Sequence, residues 1–183
     1  QLIWTNPMNM NCGTDDVVYY NVWFNPTEGG TWVLLATITD PSDTTLLQQG
    51  LVSVAGCYAV TAVDSFNNQS PYSNVFCVDN CPTYELPNVF TPNGDNINDL
   101  FIPFPYRYIE SVDIKIFDRW GVLVFETKDP SVKWNGRSNV NNRLCSDGVY
   151  YYVCTVNEIR LEGIVPRVIT GFVHLFGDNK KAE

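Results

Sequence analysis

Four hard oxygen donors fall within seven residues of this chain: Asn93, Asp95, Asn98 and Asp99, with Gly94 placed to allow a sharp turn. Calcium takes about six to eight such oxygens, and extracellular loops often bind it weakly, so this loop is a candidate calcium site. The terminal bidentate Glu of an EF-hand is missing, and an Asx-rich turn held by its own side chains would use the same residues. Six cysteines, Cys12, Cys57, Cys77, Cys81, Cys145 and Cys154, form an even set that favours disulfides and an oxidising compartment. Cys77 and Cys81 have a zinc-like spacing, but no second close pair and no nearby His completes four ligands. His174 is the only histidine. It alternates with Val173 and Leu175 as in a strand, and there is no Gly-x-Ser-x-Gly elbow, Walker loop or dinucleotide fingerprint. The residues therefore point away from an enzyme.

What holds these residues is a chain of 183 residues, 45% hydrophobic, 14% aromatic and only 17% charged. That is ample for one or two real cores and excludes general disorder. Net charge is −9, and a pI near 4.4 argues against nucleic acid, whose phosphates call for a basic surface. No apolar run reaches the roughly 20 residues of a membrane-spanning helix. The charge is unevenly placed. Residues 1–106 contain no Lys or Arg against ten acids, while residues 107–183 hold all eleven bases and the other ten acids. A partner of the first part should therefore not be strongly acidic.

Nothing has the period of a long amphipathic helix. Short apolar or alternating runs recur instead: Leu2–Thr5, Val17–Phe24, Trp32–Thr39, Cys57–Val63, Val75–Val78, Val112–Phe117, Val122–Glu126, Gly148–Val156 and Val168–Phe176. Clusters of Asn, Asp, Gly and Pro separate them. This pattern predicts an all-β chain of sandwich or barrel type. Tyr58, Val60 and Ala62 share one face of their strand by the period of two.

In the first part, Leu2-Ile-Trp-Thr-Asn-Pro7, Val18–Phe24, Trp32–Ala36, Cys57–Asp64 and Ser70-Pro-Tyr-Ser-Asn74 together resemble a fibronectin type III or immunoglobulin-like domain, residues 1–82. Strand A of such a domain would lie before Gln1. The resemblance puts Tyr58 at the position of a tyrosine corner. It also brings the start of the Cys57 strand beside the end of its hairpin partner, where Cys57 could bridge Cys77 or Cys81. Cys77 is preferred.

In the second part, Leu86-Pro-Asn-Val-Phe-Thr-Pro-Asn-Gly-Asp-Asn-Ile-Asn-Asp-Leu-Phe101 is followed by Ile116-Phe-Asp-Arg-Trp-Gly-Val-Leu-Val-Phe125 and Trp134-Asn-Gly136. Then come Asp147-Gly-Val-Tyr-Tyr-Tyr-Val153 and Thr170-Gly-Phe-Val-His-Leu-Phe176. This ordered set resembles the gliding motility-associated C-terminal domain, the type B sorting domain of the type IX secretion system of Bacteroidota. It spans residues 86–177, with 178–183 as a tail. Asn96 stands where Gly is commoner, Asp118 where Asn often precedes Arg-Trp-Gly, and Asn135 where Asp is usual.

The resemblance implies two consecutive immunoglobulin-like β-sandwich domains without catalysis, the second an address for a larger cargo. The implied partners are the type IX translocon, its shuttle proteins and a PorP/SprF-type outer-membrane protein. The implied location is the cell surface or medium, reached through the periplasm, with attachment at the outer membrane. Docking falls to Arg119, Trp120 and Gly121, and to the last strand at Thr170, Gly171, Phe172, Val173, His174, Leu175 and Phe176. An edge strand there would offer unpaired N–H and C=O groups to a partner. No cofactor is expected unless calcium binds. The alternative is a surface adhesin or carbohydrate-binding module that uses exposed aromatics, Tyr150, Tyr151 and Tyr152 among them.

Overall fold

A computed structural model describes residues 1–9 and 16–177. Cys12 and the tail 178–183 lie outside these residues. The chain divides into two compact units: Gln1–Asn80 with Leu161–Gly163, and Cys81–Arg160 with the residues from Ile164 onward.

In the first unit, β1 (Leu2–Ile3) pairs antiparallel with β4 (Thr45–Leu46). Opposite this small ladder stands a four-stranded sheet, built from β2 (Val17–Asn25), β3 (Val33–Ile38), β5 (Gly56–Asp64) and β6 (Phe76–Val78) in the order β3-β2-β5-β6. β2 and β5 are rich in β-branched and aromatic residues, which fit a pleated surface covered on both sides. Their register sets Tyr20, Val22 and Phe24 beside Ala62, Val60 and Tyr58 on one face. The other face sets Tyr19, Asn21 and Trp23 beside Val63, Thr61 and Ala59.

The second unit is one five-stranded sheet in the order β7-β11-β10-β8-β9. Its strands are β7 (Val89–Phe90), β8 (Ile109–Phe117), β9 (Leu123–Thr127), β10 (Gly148–Arg160) and β11 (Gly163–Leu175). All pairs are antiparallel except the parallel contact of β7 with the end of β11. The inner face carries Val112, Ile114 and Ile116 from β8, Tyr150, Cys154 and Val156 from β10, and Val173 and Leu175 from β11. Against it packs a layer made mostly of loops, joined by the isolated bridges Phe101↔Trp134 and Arg137↔Leu144. Both units are β-sandwiches, the second with a thinly paired outer layer.

β10 and β11 exceed the sequence-predicted runs, reaching Arg160 and beginning at Gly163. The reason is local. Glu158 would mark an exposed end on type alone, yet it is buried, with Arg160 at 2.7 Å from one carboxylate oxygen and Arg167 at 2.5 Å from the other. Burial acts to raise its pKa, but hydrogen bonds from Arg167 and Arg160 outweigh that and hold the carboxyl below the usual glutamate range.

Candidate functional site

Trp134 is the hub of the second unit. It is 0% exposed, with the rings of Phe90, Tyr150 and Phe125 centred 5.1, 5.3 and 6.0 Å away. Its indole N–H donates to the Arg137 carbonyl at 2.9 Å. Gly136, in the left-handed region at φ +77°, leaves only 3.0 Å between an added Cβ and Pro92 and 3.1 Å to Leu175. Gly171 closes the same core from the other side, since a Cβ there would meet the Tyr152 hydroxyl. Each of the five ordered motifs therefore gives at least one residue to this packing.

The loop from Asn93 to Asp99 holds itself. Asp99 accepts the Gly94 N–H at 2.7 Å and the Asn96 N–H at 2.8 Å, Asp95 accepts the Ile97 N–H at 2.7 Å, and Asn93 accepts the Asp95 N–H at 3.1 Å. The bond from the Gly94 N–H, ahead of the desolvation that opposes it, keeps the Asp99 carboxyl below the usual aspartate range. Asn96 and Asn98 have φ of +67° and +54°, a conformation Asn tolerates well, so Asn96 serves where Gly is commoner. The four expected calcium ligands do share one loop. Asp95, Asp99 and Asn93 already give oxygens to its own N–H groups. Among the described residues, no group of three or more His, Cys, Asp or Glu is placed to hold a metal.

Among the motif residues outside the core are two further groups. One is the turn between β8 and β9. Asp118 accepts the Trp120 N–H at 2.8 Å and the Val122 N–H at 2.9 Å, and Gly121 takes φ +79°. Clamped in this way, the turn leaves Trp120 80% exposed, with the Arg119 guanidinium 5.9 Å from its ring centre.

The other group is on β11. Val173 and Leu175 point into the core, whereas Thr170, Phe172 and Phe176 are exposed and His174 is half-buried. His174 lies between two rings, perpendicular to Phe172 at 5.5 Å and parallel to Phe176 at 5.8 Å. Its backbone N–H donates to Asn88 and that of Phe176 to Phe90, so even-numbered residues turn their N–H groups to the outer edge. β7 covers that edge only at His174 and Leu175. Upstream, at Val168, Thr170 and Phe172, it carries no strand among the described residues. Pro166, on the same set, lacks a donor, as edge strands often do.

Cys57 and Cys77 face each other across β5 and β6 and form a disulfide with Cα atoms 4.0 Å apart. Among the described residues, Cys81, Cys145 and Cys154 have no disulfide partner. Tyr58 donates its hydroxyl to the carbonyl four residues back, Val54, at 3.4 Å. Tyr150 does the same to Ser146 at 2.7 Å. Both tyrosines follow a strand-opening glycine by two residues, in Gly56-Cys-Tyr58 and Gly148-Val-Tyr150. That repeat is visible in the sequence once the two units are aligned. The buried Glu158 with its two arginines carries no such signal. Of the three consecutive tyrosines, Tyr150 is core, Tyr152 is half-buried against Phe101 at 6.1 Å, and Tyr151 faces out.

The family model of the CHU_C type IX secretion signal domain matches residues 84–174. No curated protein matches the chain. Among solved structures, a tetra-tandem repeat from the extending region of a large adhesion protein is 15% identical. It covers 88% of this chain and 42% of its own, with a TM-score of 0.43. The FN1–FN3 domains of chicken CNTN1 are 14% identical, cover 93% of this chain and 58% of their own, and give a TM-score of 0.32. The chain thus spans less than two thirds of either structure.

Proposed function

Residues 84–174 belong to the type IX secretion signal domain family, and from that premise we propose that this chain is the sorting end of a larger cargo protein. A type IX secretion signal marks its bearer for export to the cell surface or medium, and such domains are as a rule not enzymes. In our reading the second unit is recognised, already folded, by the type IX translocon and its shuttle proteins. A PorP/SprF-type outer-membrane protein then holds it at the outer membrane. The first unit serves as an immunoglobulin-like spacer.

One observation supports a division of labour within the domain. Several of its motif residues are core, and among the exposed ones are Arg119 and Trp120 on a clamped turn and Thr170, Phe172 and Phe176 on the edge of β11. The turn would offer a rigid aromatic-cation anchor, and the edge main-chain pairing with side-chain pockets on either side. Reporter fusions in a type IX-competent host test this. Trp120→Ala and Thr170→Pro should lower surface display at least several-fold while far-ultraviolet circular dichroism stays native. Undiminished display of both variants would remove these residues from recognition.

A second reading, a surface adhesin or carbohydrate-binding module, draws on one feature of the first unit. Tyr72, partly exposed, stacks on Trp32 at 5.2 Å and meets Trp23 edge-on at 5.8 Å. Glycan-array binding that Tyr72→Ala abolishes would favour this reading, and silence on the array would count against it.

A further inference from the structure

In the second unit, β10 outruns β8. Tyr151 lies opposite Phe117, the last residue of β8, so residues 148–150 have no strand beside them on that side among the described residues. The turn from β8 to β9 and the segment 138–147 wall the space instead, and a cleft of about 580 Å³ remains between them. Main chain without a ladder partner can take the N–H and C=O groups of an added segment.

Two observations say what fits there. The first is charge. Arg119 and Arg143 both line the cleft, and neither guanidinium has a carboxylate within ion-pair distance among the described residues. The two acids on the wall already serve main-chain donors: Asp118 accepts the Trp120 and Val122 N–H groups, and Asp147 accepts the Gly177 N–H at 2.8 Å. Residues 131–146 carry Lys133, Arg137 and Arg143 and no acid. This wall is therefore basic in a chain of net charge −9, and charge complementarity selects a carboxylate, which a guanidinium fork can hold with two bonds. The second observation is apolar surface. Trp120, Leu144 and Tyr151 stand exposed around the same opening. Arginine beside exposed aromatic rings is the composition of an interface anchor, and a simple anion would leave Leu144 and Tyr151 bare.

We propose that this cleft binds one occupant, an extended segment of the protein that recognises the sorting domain, in which Glu or Asp alternates with apolar residues. Its carboxylates pair with Arg119 and Arg143, its apolar side chains cover Trp120 and Leu144, and its main chain runs beside residues 148–150. Who supplies the segment rests on the sorting reading above, whereas the binding chemistry does not.

The nitrogen-15-labelled 183-residue chain is titrated with the probe acetyl-Ser-Leu-Glu-Leu-Glu-Ser-amide, and the Trp120 indole N–H resonance, assigned by its loss in Trp120→Phe, is followed. The expected result is a saturable shift of that resonance. Binding should be roughly tenfold weaker when Gln replaces Glu in the probe, and similarly weakened by Arg143→Gln, an exposed position that should leave circular dichroism unchanged. Lys115→Gln, exposed on β8 and outside the cleft, should bind as the wild type does. No saturable shift, equal binding of the Glu and Gln probes, or an equal shift with sodium acetate at matched carboxylate concentration overturns the proposal. In the reporter fusion, Arg143→Gln should lower surface display several-fold. Undiminished display of that variant beside a displayed wild-type fusion overturns the inference and leaves the sorting reading standing. A wild-type fusion that is not displayed strikes the sorting reading instead, and the titration still decides the cleft.

Discussion

Tyr58 and Tyr150 do the same work in two units that share no obvious sequence beyond Gly-x-Tyr. Each carries a ring into a core and ties its hydroxyl to the carbonyl four residues back, which pins the loop entering the central strand. Tyr150→Phe should cost about 1 kcal/mol in denaturant unfolding of the second unit. Tyr58→Phe should cost less in the first, since its bond is 3.4 Å against 2.7 Å. The cysteines make a sharper contrast. Burial, with Asp113 adding to it, pushes the Cys154 thiol up to about 12, whereas Cys81 is exposed. In the native chain a maleimide should label Cys81 within minutes and Cys154 only after unfolding. Equal labelling rates would contradict the packing around Cys154. Residue by residue, much was legible beforehand. The turn at Gly94 follows from local pattern, whereas the Tyr58 corner and the preference for Cys77 over Cys81 as the partner of Cys57 came from the resemblance to an immunoglobulin-like domain. The fate of Cys154 follows from neither, because no spacing rule distinguishes a buried free thiol from half a disulfide.

Strands were readable from alternation, and every predicted run contains one. The predicted run Gly148–Val156 stops short of the strand's end at Arg160, where Glu158 takes a core position because Arg160 and Arg167 reach it from the same hairpin. Glu158→Gln should destabilise the second unit by roughly 1–3 kcal/mol, the scale of a charged hydrogen-bonded group left with a poorer partner. The pH dependence follows from its lowered pKa. The carboxylate's contribution is complete above the unfolded glutamate value and is lost as pH falls through the lower folded value. Wild type should therefore lose stability on acidification below the ordinary glutamate range, and the Gln variant should lose less over the same interval. A variant with the wild-type acid profile would remove Glu158 from the account. The outer layer of the second unit was equally hard to read. Phe101 and Trp134 are joined by an isolated bridge rather than a ladder, and a bridge has no period.

For the whole molecule, the uneven charge noted first survives in altered form. The units part at Asn80, so the acid-only stretch runs beyond the first unit, and residues 81–183 carry thirteen acids against eleven bases. The ordered aromatic and glycine motifs mark the second unit better than charge does, since Phe90, Phe101, Trp134 and Tyr150 meet in its core. The central claim is that this chain exports what is attached to it. The most direct measurement is surface proteolysis of a periplasmic reporter carrying residues 1–183 at its C-terminus, in a type IX-competent host and in an isogenic strain lacking the translocon. The account predicts a reporter accessible to protease in the first strain and protected in the second. A reporter that stays in the periplasm of the competent strain, while a known type IX cargo in the same cells reaches the surface, would contradict it.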